Sequence, residues 1–232
     1  MLRVAPSKSA AIPFSNLYWF LEELKKFESI FTQYLKEEVE SNDNYLSNAT
    51  KLMNMMIKDN EKVDIINFNY TNPFNSDYSH SDGRQLKDMV SSVTNVHGAL
   101  DEDNIIFGVD ATADLQSGAH IFTKTYRKML QKKSPSRALP WHVHKIKFYG
   151  HSLGSADYSY FHSIFDNYNL YGGDLAYGQP RKEQVELQFY FTVYNESKKM
   201  EITRNATERV HSLVTAYGAT LDNKDKGKKP FA

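Results

Sequence analysis

From Asn16 onward, apolar side chains recur at every third or fourth position. They are Leu17, Phe20, Leu21, Leu24, Phe27, Phe31 and Leu35, with Glu22, Glu23, Lys25 and Lys26 opposite. That period predicts a long amphipathic helix with one face in a core. A weaker stripe of Leu46, Ala49, Leu52, Met53 and Met56 predicts a second helix over Tyr45 to Lys58, its methionines suited to adaptable packing. The pattern then turns to short apolar runs. Val63 to Phe68 is β-branched and closes ahead of Pro73, which predicts a strand. Ser92–Val96, Asn104–Phe107 and Lys145–Tyr149 predict three more, and Val185–Tyr194 the longest. Helical spacing returns around Ile121 to Lys132, again at Tyr158, Phe161, Ile164 and Phe165, and finally from Glu201 or Thr203 to Tyr217.

Strands separated by helices or long loops imply crossover connections. The expected fold is therefore α/β, with a mainly parallel sheet and helices on both faces. Residues 1–14, with Pro6 and Pro13, read as an N-terminal lead; 15–218 read as a single α/β domain, and 219–232 as a charged flexible tail. At 232 residues and 41% hydrophobic, the chain can bury a core of ordinary size. Lysine plus arginine equals aspartate plus glutamate at 28 each, so no net basic field recommends nucleic acid or an anionic membrane. With no cysteine there is no disulfide, thiolate nucleophile or cysteine-ligated zinc. No signal-peptide core or membrane-length apolar run is present, and a cytoplasmic location is expected.

Each predicted strand runs into a polar or glycine-containing knot. Asn69 and Thr71 follow the first, His97 and Gly98 the second, Gly108 and Asp110 the third, and Gly150, His151 and Ser152 the fourth. Parallel strands would gather all four at one rim and define a cleft, the usual ligand position in open α/β sheets. The last knot, from Gly150 to Gly154, spells G-x-S-x-G between a strand and a helix, with Asp157 in the first helical turn. Ser152 is thus a candidate hydrolase nucleophile. A triad would need a later acid and histidine, however, and only His162 and His211 follow, both in predicted helices. The pair His142 and His144 lacks carboxylates at suitable spacing, so no metal site is expected; His80 and His120 carry no motif.

Taken in order, Asn67–Thr71, Asn95–Gly98, Ile105–Gly108, Phe122 with Lys124, and Gly150–Gly154 with Asp157 resemble the AbiH-type bacteriophage abortive-infection family. The resemblance covers about residues 16–215. The family is in turn distantly similar to the sirtuin-like, Rossmann-like NAD-binding fold. By that resemblance, His97 is the catalytic base and Asn69 the group that orients a water or ribose hydroxyl. Thr71, Gly98, Gly150, His151, Ser152, Gly154 and Asp157 would contact the nucleotide, and NAD is the implied ligand. Thr71 stands where the sirtuin pattern has aspartate. Family members begin with a strand and a Gly-Asn-Gly-Phe-Asp segment, and nothing like it precedes Asn16. The resemblance therefore implies a fold incomplete at its N-terminus, the carboxyl-terminal part of a longer protein. Two other functions stay open: a nucleotide- or protein-binding defence module without turnover, answering a phage or host protein trigger, and a serine hydrolase built on Ser152.

Overall fold

The computed structural model describes residues 14–42, 44–58, 61–75, 86–108, 118–130, 139–140, 143–168, 170 and 185–222. The chain divides into two compact units, residues 1–136 and 137–232. Among the described residues, each contains one two-stranded parallel sheet. The parallel order expected from the sequence is present, carried among the described residues by two small sheets. Six α-helices are described beside them, and none of these is long and apolar enough to cross a membrane.

In the first unit, helix α1 (Phe14–Glu40) buries Leu17, Leu21, Glu28 and Thr32 and half-buries Leu24, Phe31 and Leu35. Phe20 and Phe27, expected in the buried stripe, lie on its flank and are about half exposed. Leu17 and Leu21 pack on Ile121, in the 3-10 turn Ala119–Phe122 that leads into helix α4 (Lys124–Leu130). Helix α2 (Tyr45–Met56) presents Met53, with Ile57 just past its end, to Met89 and to Val63, Ile65 and Val90. This cluster covers the pair formed by strands β1 (Val63–Asn67) and β2 (Val90–Asn95); the short helix α3 (Leu86–Met89) runs directly into β2.

The expected strand at Asn104–Phe107 is corrected by the structure. The segment makes no ladder, because its backbone groups are taken elsewhere. Ile106 N–H donates to the His97 carbonyl at 2.9 Å. Phe107 N–H donates to Glu28 Oε1 at 2.6 Å, and the Phe107 carbonyl accepts from Arg127 Nη1 at 2.5 Å. Buried main-chain groups must find partners, and here a turn carbonyl and two side chains supply them.

In the second unit, strand β3 (Lys145–Tyr149) pairs in parallel with β4 (Glu186–Tyr190). Phe148 stacks on Phe189 with ring centres 4.5 Å apart, and Phe161 and Phe165 of helix α5 (Tyr158–Asn167) meet Phe148 edge-on. Helix α6 (Lys199–Asp222) closes this core with Leu213 and Tyr217, whose hydroxyl donates to Asp166 at 2.9 Å. The strand expected over Val185–Tyr194 stops at Tyr190. Asp157, expected as a charge in the first helical turn, stands at the start of α5 without a side-chain cap bond; its carboxylate faces His151, 3.3 Å from Nε2. Residues 1–13 of the lead and most of the tail lie outside the described residues, as do Asp110, His80 and His142.

Candidate functional site

The carboxyl ends of β1 and β2 lie level, with Asn67 opposite Asn95. The Asn67 side-chain amide donates to the Thr71 carbonyl at 2.9 Å and to Asn95 Oδ1 at 3.0 Å, while its own oxygen accepts from Asn69 N–H at 3.0 Å. Three bonds fix this buried amide and hold the Asn67–Thr71 turn. Asn69 itself is exposed, and here its backbone is what the turn uses.

His97 is only 6% exposed, edge-on to Phe68, with Nε2 3.4 Å from Lys124 Nζ. The turn that carries it is shut by Asn104, whose oxygen accepts from Ala99 N–H at 2.8 Å. Gly98 sits at φ +88°, and a Cβ there would stand 2.1 Å from the Asn104 carbonyl oxygen. Only glycine fits both the conformation and the space.

Helix α4 supplies the neighbours of this turn. Lys124 reaches His97; Lys128 Nζ donates to the Val96 carbonyl at 3.3 Å, and burial pushes its pKa below the usual lysine value. Between them Arg127 forms a two-pronged ion pair with Glu28, its Nη1 and Nη2 lying 2.5 and 2.6 Å from the two carboxylate oxygens. Both side chains are about nine-tenths buried. Pair and Phe107 backbone together tie α1, the 104–108 segment and α4 into one clamp. Asn67, Asn104, Glu28 and Arg127 were not among the candidate site residues read from the sequence. Asn67 headed a quoted motif, and Glu28 stands seven residues after Leu21 and four after Leu24, on the buried face.

The second unit brings together Gly150, His151, Ser152, Gly154 and Asp157. Gly150 (φ +66°) and Leu153 (φ +51°) take the left-handed conformations that bend the chain between β3 and α5. His151 braces the bend: Leu153 N–H donates to its Nδ1 at 2.8 Å, and its Nε2 faces Asp157. The acceptor role at Nδ1 leaves the ring proton on Nε2. Ser152 stays exposed, its carbonyl 3.5 Å from Arg209 Nη1.

This bend forms one wall of a cleft of about 440 Å³. The other walls are the residues just beyond β4, including Phe191 and Tyr194, Lys198 at the end of the 3-10 turn Glu196–Lys198, and the first turns of α6, with Glu201, Asn205 and Arg209. The cleft therefore sits off the carboxyl ends of two parallel strands. Its lining mixes aromatic faces (Tyr149, Tyr190, Phe191), two cationic side chains and main-chain groups. Among the described residues, no group of three His, Cys, Asp or Glu side chains could hold a metal ion.

The described residues define a mixed α/β protein with small parallel strand pairs and an aromatic-rimmed cleft beside one of them. The sequence profile described as "Bacteriophage abortive infection AbiH" matches residues 9–173, about seven-tenths of the chain. The chain belongs to that family, which places it in bacteriophage abortive infection. No curated protein and no solved structure matches it.

Proposed function

We propose that this chain acts in the bacterial cytoplasm as a nucleotide-handling component of phage defence, with NAD the first ligand to test. The observation that carries this reading is the position of the cleft beyond the carboxyl ends of β3 and β4, where open α/β folds receive nucleotides. Its volume lies within the ~300–1,000 Å³ typical of ligand pockets. The chemistry of its lining also fits. Arg209 and Lys198 suit a phosphate, the tyrosines and Phe191 suit the face of a base, and backbone at Gly150–Gly154 can approach closely. A sirtuin-like or Rossmann-like ancestry would account for both the parallel pairs and the cleft.

For the first unit, the family resemblance gives His97 the role of base and Asn69 that of orienting group in NAD hydrolysis. Purified protein incubated with NAD should release nicotinamide, and His97→Ala should abolish the release. Release undiminished in His97→Ala removes the histidine from the reaction. One observation favours a second reading, binding without turnover: His97 is buried and its Nε2 faces a lysine rather than open space. Saturable NAD binding with no nicotinamide release would select it, and a phage or host protein would then be the partner that the bound state recognises. The serine-hydrolase reading has less behind it. Left-handed conformations fall at Gly150 and Leu153 rather than at Ser152, and both His151 nitrogens are engaged within the turn. Labelling of Ser152 by a fluorophosphonate probe would restore it.

A further inference from the structure

We propose that Lys124 is a positioning residue that fixes the tautomer of His97, keeping the ring proton on Nδ1 and the Nε2 lone pair turned toward the lysine. An ammonium group carries three donors and no acceptor. The imidazole nitrogen it meets, Nε2 at 3.4 Å, must therefore act as acceptor. A free imidazole side chain prefers the opposite arrangement, with its proton on Nε2, so the contact reverses the default.

The placement of Lys124 is built rather than incidental. Three residues further along α4, Arg127 is locked to Glu28 and to the Phe107 carbonyl. Gly108 lets the chain after Phe107 lie against the start of α4: a Cβ there would stand 2.7 Å from the Phe122 carbonyl oxygen and 3.1 Å from Lys124 N. From the other side, Ile106 N–H holds the His97 carbonyl. Histidine and lysine are thus fastened to the same 104–108 segment. His151 provides the contrasting case within the molecule, for there a backbone N–H meets Nδ1 and the proton stays on Nε2.

One consequence rests on the reading of His97 as a base. While Lys124 Nζ stays in place, Nε2 is covered. Moving the ammonium away would uncover it.

The test is ¹⁵N NMR of histidine-labelled protein above the histidine titration range, where a protonated ring nitrogen and a bare one resonate far apart. His97→Gln and His151→Gln identify the two rings among the eight histidines. His97 should carry its proton on Nδ1 and His151 on Nε2. Lys124→Met should return His97 to the Nε2–H form, whereas Lys124→Arg, which keeps a donor-only cation, should preserve the Nδ1–H form; His151 should not change in either. Thermal unfolding checks that both variants fold, and the wild-type and arginine spectra decide the matter if the methionine variant does not. An Nε2–H form of His97 in the wild type, or an Nδ1–H form surviving in Lys124→Met, would overturn the proposal. Because the readout needs no NAD, a protein inert toward NAD would defeat the hydrolase reading and leave this assignment standing.

Discussion

Two turns of this protein, His97–Gly98 and Gly150–Gly154, do the same topological job and have opposite surroundings. Each follows a strand of a parallel pair, and each joins glycine to histidine. The first is packed shut: His97 is buried, Gly98 has a backbone carbonyl where a side chain would go, and Asn104 pins the exit. The second stands open, with no atom within 4 Å of a Cβ built on Gly150 and a cleft in front of Ser152. A glycine beside a histidine at a strand end thus says where a chain bends. What packs against the bend decides whether it serves as anchor or as ligand wall.

If the first turn is an anchor, its clamp should dominate stability. Glu28→Ala leaves Arg127 buried without its counter-charge and is expected to cost about 3–5 kcal/mol, read as a lowered urea midpoint. Replacing Glu28 and Arg127 together by methionine should regain much of that loss, since a buried ion pair is often matched by apolar packing of similar volume. Equal losses in the single and double variants would show that the clamp does not work through its charges.

The two glycines sharpen the contrast at a smaller scale. Gly98→Ala meets both a left-handed backbone and a backbone oxygen and should cost roughly 3 kcal/mol. Gly150→Ala meets only the backbone penalty, about 1 kcal/mol. Chemical denaturation of both variants measures the difference, and similar costs would erase the distinction between closed and open turns.

The parts of this account that are local were legible in the sequence. β3, the bend and α5 follow from alternation at Ile146 and Phe148, glycines at 150 and 154, and helical spacing from Phe161 to Phe165. The run Ile105–Phe107 was not legible, because an apolar segment looks the same whether its backbone pairs with a strand or with the side chains of Glu28 and Arg127. That pair spans 99 positions, beyond any periodic signal. The distribution of strands over two sheets depends on which strand finds which partner, a tertiary matter that spacing does not encode. The cleft was half visible: the Gly150–Ser152 wall carried a motif, whereas Lys198 lies ahead of the expected last helix and Arg209 within it, and neither belongs to a motif.

The nucleotide cleft itself is tested most directly by calorimetric titration of NAD and ADP-ribose into the wild type and Arg209→Ala. The account predicts saturable binding that weakens about tenfold or more in the variant, the loss of one charge-assisted hydrogen bond of ~1.5–3 kcal/mol. Absence of saturable binding by either ligand, or an affinity unchanged by the substitution, would contradict it.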